Sequence, residues 1–295
     1  MRCLLTTCCL FVLTVLTAQA QLQLPQPSPM AKVTQTVGLT DVTVEYSRPG
    51  MRGRDIFGDL VPYGEVWRTG ANASTKITFD DPVTVRGQEL PAGTYALYTI
   101  PNPNEWTIIF YKDLELGGNT SRYDPSQDVL RVMATPSRTG LPVETFTIAF
   151  TDLQENSAKL EMLWDDVRVA LPLSVETESK TARNIETALA EAGDDWRPYA
   201  QAANYYLQND VDNVQAMQWL DQSVAKKRHF WNLHLQSVAY AKAGDYQQAL
   251  ASAEQALPMA KEAENAFYIG QIEGNIEKWQ GMIPAKKRGR RSRRG

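Results

Sequence analysis

The chain has 295 residues, of which 43% are hydrophobic and 22% are charged. This composition is that of a globular protein with one or two domains, and it excludes both a disordered chain and a membrane-embedded one. Eight Phe, twelve Tyr and seven Trp supply enough apolar area for a core, which also excludes a small domain held together by disulfides.

The first twenty residues have the pattern of a secretory signal peptide. They carry one positive charge at Arg2, an apolar run over residues 8–16, and a small-residue pair ending at Ala20, after which we expect cleavage. The apolar run is shorter than the roughly 20 residues that span a bilayer, so we expect no transmembrane span after cleavage. Residues 21–31 follow as a linker.

All cysteines of the chain lie within this segment. They are Cys3, Cys8 and Cys9, so the mature chain would have no thiol and no disulfide. An exported protein without disulfides fits a bacterial envelope better than an animal secretory fluid. The sequence therefore predicts an exported protein, periplasmic or extracellular, without thiol nucleophiles or thiolate metal sites.

Charge is divided unevenly between the body of the chain and its end. The formal net charge is −4, and setting aside eight cationic residues, Arg2 and seven in the last ten positions, leaves −12 on residues 21–285. We expect residues 285–295 to form a disordered basic tail. Its charges are Lys286, Lys287, Arg288, Arg290, Arg291, Arg293 and Arg294. The tail either binds anionic lipid, lipopolysaccharide or nucleic acid weakly, without specificity for nucleic acid, or is a solvated end.

Residues 32–175 have the alternating apolar pattern of half-buried strands. Between Val42 and Tyr46, for example, every second residue is apolar. The predicted strands lie at 42–46, 76–80, 83–86, 94–100, 105–112, 129–135, 145–150, 157–164 and 167–171. Turn residues separate them, including Asp165 and Asp166 before the last strand. Because no helical pattern intervenes, we predict an antiparallel β-sandwich or barrel.

Residues 176–284 change to the three- and four-residue apolar spacing of amphipathic helices. Gly193 and Gly244 stand where helices would end. A set of residues beginning at Asp212 recurs 33 residues later, beginning at Asp245. This all-α repeat domain resembles the tetratricopeptide repeat, in which small residues let paired helices approach closely.

One stretch of the β domain carries a family resemblance. The segment GRDIFGDLVPYGEVWRTGAN at residues 53–72, followed by PAGTYALYTIP and EWTIIFYK, resembles a bacterial envelope family known as domain of unknown function 2911 (DUF2911). The resemblance runs from about Ser28 to Leu173. It implies an exported β domain, often followed by helical repeats, and it implies no activity.

The segment 48–65 is a long loop without a strand pattern, and loops of this length are usually functional or disordered. Its apolar residues argue against disorder. Planar donors lie beside aromatic side chains here, as in sites that bind carboxylates, phosphates or sugars. The candidate ligand-binding residues are Arg48, Arg54, Tyr63, Trp67, Arg68 and Asn72. The sequence favours the alternative that the arginines pair with Asp55, Asp59 and Glu65 and hold the loop to the β domain.

The inventory of catalytic residues favours a protein that is not an enzyme. His229 and His234 are five residues apart on a predicted helix, about 140° around its axis, so we expect them to cap or pack rather than bind one metal. No nucleotide-binding or nucleophile motif is present, and we predict no cofactor. The sequence predicts a binding module for an envelope protein or glycan, with the helical repeats as a docking surface. The alternative is a carbohydrate-active enzyme that uses carboxylates of the β domain.

Overall fold

The computed structural model describes residues 24–283, and the chain divides into two compact units between Glu176 and Thr177. The predicted signal peptide and the basic tail lie outside the described residues. Within residues 24–283, no helix combines the length and the apolar character needed to cross a bilayer.

The described part of the first unit contains ten strands. They are β1 Met30–Val37, β2 Thr40–Ser47, β3 Thr75–Phe79, β4 Val83–Val85, β5 Gln88–Leu90, β6 Gly93–Ile100, β7 Trp106–Tyr111, β8 Asp128–Ala134, β9 Ser137–Thr151 and β10 Ser157–Val175. They form a six-stranded sheet in the order β1-β2-β3-β6-β7-β8 and a four-stranded sheet in the order β5-β4-β10-β9, and all these pairs are antiparallel. The antiparallel β domain is therefore confirmed, and of the two predicted forms it is the sandwich.

The two sheets bury one apolar core between their inner faces. Val44 and Ile77 of the larger sheet and Phe146 and Leu160 of the smaller sheet belong to the same buried cluster. The sheets are also linked by a side chain of the core, because the Tyr46 hydroxyl donates to the carbonyl of Ile148 at 3.2 Å and accepts from its N–H at 2.8 Å. Strand β9 lies at the edge of its sheet, so this hydroxyl satisfies backbone groups there.

A second apolar layer covers the outer face of the larger sheet. Strands β6 and β7 are apolar at nearly every position, and their outward residues, such as Tyr98 and Tyr111, pack with Leu116 from the connection before β8. A strand that is covered on both faces loses the alternating pattern, which explains these continuous apolar runs.

Three details of the β domain differ from the sequence prediction. The turn predicted at Asp165 and Asp166 is wrong, because β10 runs without interruption from Ser157 to Val175 and carries an irregularity at this point. Strand β1 was not predicted, because Gln35 interrupts the alternation of Ala31, Val33 and Val37. Strand β5 was not predicted either. It pairs with β4 through a hairpin turn at Arg86 and Gly87, whose φ angles of 48° and 83° explain the glycine.

The described part of the second unit is all-α. Its helices are α1 Glu178–Glu191, α2 Arg197–Gln208, α3 Asn213–Lys226, α4 Phe230–Lys242, α5 Tyr246–Glu262 and α6 Ala266–Gln280. The pair α2–α3 starts at Arg197 and Asn213, and the pair α4–α5 starts 33 residues later in each case. Fully buried alanines such as Ala203 and Ala256 lie between the helices, which permits their close approach.

Both histidines have structural roles in the helical domain. His229 is the N-cap of α4, and its Nδ1 accepts a hydrogen bond from the N–H of Trp231 at 3.2 Å. His234 is 5% exposed and packs edge-on against Tyr268, and desolvation by burial lowers its pKa below the usual value. The prediction that the two histidines cap or pack is confirmed.

Candidate functional site

The long loop over residues 48–65 is held to the sandwich by its arginines. Arg48 donates from Nε to the Phe146 carbonyl at 3.0 Å and from Nη2 to Thr147 Oγ1 at 2.7 Å, which ties the loop to β9. Arg54 donates to the carbonyls of Met51 and Gly50, at 2.9 and 2.6 Å, and so stabilises the turn of the loop itself.

The ion pairs that the sequence favoured for this loop are wrong. Among the described residues, none of the arginines pairs with Asp55, Asp59 or Glu65. A guanidinium offers five N–H donors in one plane, and backbone carbonyls of a loop can satisfy them as well as a carboxylate does. The loop is thus anchored, and its aspartates remain available for other contacts.

The donors that follow the loop also make structural contacts. Asn72 donates from Nδ2 to the Ser28 carbonyl at 3.1 Å and to Ser47 Oγ at 3.2 Å. Arg68 donates from Nη1 to the Gly118 carbonyl at 3.4 Å, while its Nε is buried without a partner. Both side chains therefore serve connections between segments of the β domain.

Trp67 belongs to the core rather than to the surface. It is 9% exposed, its indole N–H donates to the Gly70 carbonyl at 3.1 Å, and its ring stacks on Trp164 at 5.8 Å. Phe57 from the loop meets this cluster edge-on, and it lies 5.0 Å from the ring of Trp106.

A pocket of about 360 Å³ opens above these aromatic rings. It is lined by Asp55, Ile56, Phe57, Tyr63, Asn102, Pro103, Trp106, Pro136, Ser137, Arg138, Asp165, Asp166 and Val167. Of the six candidate residues predicted from the sequence, Tyr63 lines this pocket, and the other five do not. The loop contributes Asp55, Ile56, Phe57 and Tyr63 to the pocket, and none of its arginines.

An irregularity in β10 forms one wall of the pocket. The pairing with β9 shifts register on both sides of Asp165, whose φ angle of 53° lies in the left-handed region. A bulge of this kind turns side chains away from their regular alternation and often lies beside a functional site. Here Asp165 and Asp166 both line the pocket, and Asp166 forms an ion pair with Arg138 of β9.

The polar groups around the pocket are mostly without partners inside the protein. Within the described part of the chain, the carboxylates of Asp55 and Asp165, the Asn102 amide and the Tyr63 hydroxyl form no hydrogen bond or ion pair. Exposed carboxylates elsewhere in the β domain, such as Asp59 and Glu89, also have no partner among the described residues, whereas the buried Glu161 pairs with Arg168.

Trp106 adds a donor at the base of the pocket. The residue is 2% exposed, and its indole N–H forms no hydrogen bond with the described residues, whereas Trp67 and Trp164 both donate to backbone carbonyls. Trp106 also lines the pocket, together with Phe57. The lining of the pocket therefore includes aromatic side chains, one of which carries an unpaired N–H.

A second polar aromatic group, on the outer face of the larger sheet, is structural. The Tyr123 hydroxyl donates to Asp128 Oδ1 at 2.5 Å and accepts from Arg131 Nη2 at 2.8 Å. Burial, and then the bond to Asp128, raise the pKa of Tyr123 far above its usual value. Because each group is satisfied, this cluster holds the connection before β8 in place.

Sequence reasoning missed most of the pocket. Asn102 lies in the turn between β6 and β7, Arg138 lies at the start of β9, and the two aspartates follow the regular part of β10. Asp165 and Asp166 gave no signal that could be told from a turn, because aspartate is itself a common turn residue.

Comparison with known proteins places the pocket within one family domain. Residues 28–173 match the model of a family described as a protein of unknown function, DUF2911, which confirms the resemblance found in the sequence. All residues that line the pocket lie inside this range. No curated protein and no solved structure matches the chain.

Proposed function

We propose, on the premise that the chain belongs to the DUF2911 family over residues 28–173, that its β domain is a binding module for a small polar ligand. The pocket above Phe57 and Trp106 is the proposed site. The observation that carries the proposal is the group of polar side chains that surround an aromatic base and have no partner within the described residues.

The size and chemistry of the pocket support a small ligand. Binding pockets for small molecules have volumes of roughly 300–1,000 Å³ and combine apolar walls with a few placed polar groups. At about 360 Å³ this pocket lies at the lower end of the range. It suits a ligand of the size of a monosaccharide or disaccharide better than a folded protein surface.

Binding without turnover is the function proposed for this pocket. A glycosidase assigns separate roles to two carboxyl groups, one of which acts as an acid. Asp166 is held in an ion pair with Arg138, and nothing in the described residues assigns separate roles to Asp55 and Asp165. No observation therefore favours the carbohydrate-active enzyme.

Export of the protein to a bacterial envelope is part of the proposal. It is supported by the charge, apolar run and small-residue pair of residues 1–20, which lie outside the described residues. Fractionation of cells that express the full chain, with N-terminal sequencing of the product, tests it. Recovery of uncleaved protein from the cytoplasm would contradict export.

The basic tail provides the second proposed contact, with anionic surfaces. Its seven cationic residues give attraction of about 1 kcal/mol per charge close to an anionic membrane, and the attraction fades beyond about 8 Å at physiological salt. Deletion of residues 286–295 should abolish sedimentation with anionic vesicles at low salt and leave the melting temperature unchanged. Equal sedimentation of full-length and truncated protein would show that the tail binds no membrane.

A docking surface on the helical repeats stays a prediction. A pull-down from envelope extract, carried out with the full chain and with a variant that lacks residues 177–295, is its test. A partner that both forms recover would assign protein binding to the β domain instead.

A ligand screen with a blocked pocket tests the binding function. The full chain is screened by ligand-observed NMR against neutral sugars, amino sugars, amino acids and short peptides. Ser137 is exposed and lines the pocket, so Ser137→Trp should fill it without disturbing the core. We expect at least one class to bind the native protein and not the variant. Binding that Ser137→Trp leaves unchanged for every ligand, or no binding at all, would refute the proposal.

A further inference from the structure

We infer that the pocket selects a ligand that carries a protonated primary amine next to a hydrogen-bond acceptor. The inference rests on the binding function proposed above and names the ligand class of the same site. Three observations carry it: the charge of the pocket, its aromatic base and the unpaired N–H of Trp106.

The charge of the pocket favours a cation. Its lining contains Asp55, Asp165 and Asp166 against a single cationic residue, Arg138, whose ion pair with Asp166 neutralises one carboxylate. Two carboxylates remain without a counter-ion among the described residues. An anionic ligand would be repelled, whereas an ammonium group forms charge-assisted hydrogen bonds with the carboxylates.

The aromatic base adds attraction for the same group. Phe57, Tyr63 and Trp106 line the pocket beside the carboxylates. The faces of aromatic rings carry negative potential and attract cations, and carbohydrate-sized rings cover such surfaces well. An ammonium group on a compact ligand can therefore meet both the carboxylates and a ring within one pocket.

The unpaired N–H of Trp106 sets the second requirement. It is a donor only, so it repels an ammonium group and needs an acceptor oxygen. Trp106 is 2% exposed, and an N–H in so buried a residue gains more from an acceptor than an exposed one does. A ligand with an amine at one end and a hydroxyl or ring oxygen at the other, as in an amino sugar, satisfies both ends.

A pair of disaccharides that differ only in acetylation tests the inference. The glucosamine disaccharide carries two protonated amines, and its N-acetylated counterpart has the same skeleton without charge. By calorimetry on the full chain at low salt, we expect the amine form to bind at least about tenfold more tightly than the acetylated form. One charge-assisted hydrogen bond is enough to produce a difference of this size. Its affinity should also fall as salt is added.

Variants of the two carboxylates test whether the preference for the amine form arises in this pocket. Asp165→Asn and Asp55→Asn should each weaken binding of the amine form by at least about fivefold and leave the acetylated form unchanged. Asp59→Asn is the matched control, because Asp59 lies in the same loop, is exposed and does not line the pocket. It should alter neither affinity. Trp106→Phe, which keeps a smaller aromatic ring and removes the N–H, should weaken both forms.

The outcomes separate the ligand class from the binding function. Equal affinity for both disaccharides, each blocked by Ser137→Trp, would overturn the amine selectivity and leave the binding function standing. Amine binding that Asp55→Asn and Asp165→Asn do not reduce would overturn the selectivity as well. If neither disaccharide binds, the selectivity is refuted, and the wider screen with Ser137→Trp then decides the binding function independently.

Discussion

Removal of one oxygen atom from the core, in Tyr46→Phe, should destabilise the β domain strongly. The Tyr46 hydroxyl satisfies both the N–H and the carbonyl of Ile148, and the residue is 3% exposed. Phenylalanine fills the same volume, so no cavity term is added. The two backbone groups of Ile148 lose their partner, and each unsatisfied buried group costs roughly 1–3 kcal/mol, which gives a loss of about 2–6 kcal/mol.

Two other tyrosines form a graded control series. The Tyr95 hydroxyl donates one bond to the Pro91 carbonyl at 2.8 Å, so Tyr95→Phe should cost about 1 kcal/mol. The Tyr63 hydroxyl has no partner among the described residues and is 42% exposed, so Tyr63→Phe should change stability by less than about 0.5 kcal/mol.

The assay combines urea unfolding with amide hydrogen exchange. Unfolding gives the order of the three variants, and exchange at the Ile148 amide should accelerate in Tyr46→Phe alone, because that N–H donates to the hydroxyl. The reasoning fails if Tyr46→Phe is no less stable than Tyr63→Phe, or if exchange at Ile148 does not change.

Three further predictions concern single groups. Burial lowers the pKa of His234, so the unfolded chain binds the proton more strongly than the folded one. The stability of the helical domain should therefore fall as the pH drops below about 6.5. In acid titrations followed by circular dichroism, His234→Gln should make this fall in stability less steep. In urea unfolding, Asn232→Ala should lower the free energy of unfolding by about 2–4 kcal/mol, since the fully buried amide forms hydrogen bonds with Ser223, Lys227 and His229. Asn209 is exposed, and Asn209→Ala should lower it by less than about 1 kcal/mol. Asp165→Gly should keep or raise the melting temperature, because glycine adopts a left-handed φ angle without strain. The same variant should weaken binding of the glucosamine disaccharide. A large fall in the melting temperature would contradict this prediction.

The strands could be predicted because their signal is local. In β3 and β7, for example, the predicted bounds of 76–80 and 105–112 differ from the observed strands by one residue at each end. Alternation of apolar side chains follows directly from a sheet with one buried face. Strand β5 was missed because its three residues, Gln88–Leu90, show no alternation, and β1 was missed because Gln35 interrupts the apolar row of Ala31, Val33 and Val37.

The pocket could not be predicted because its residues share no local pattern. Asp55, Asn102, Arg138 and Asp165 come from the long loop, a turn, the start of β9 and the bulge of β10, and only the packing of the two sheets brings them together. The arginines hold the loop, as the sequence favoured, but their partners were predicted wrongly, since planar donors fit backbone carbonyls as well as carboxylates. Sequence alone does not distinguish these partners.

The backbone conformation of Asp165 connects the missed prediction of the pocket with the proposed binding function. A residue other than glycine at a φ angle of 53° inside a strand is strained, and aspartate is tolerated in the left-handed region mainly where its side chain bonds to nearby backbone. The Asp165 carboxylate forms no such bond within the described residues. The bulge therefore holds a carboxylate at the pocket wall without a hydrogen bond or ion pair from residues 24–283. Local rules of structure fail most often where residues serve a ligand. A protonated amine on a bound ligand would supply the missing partner.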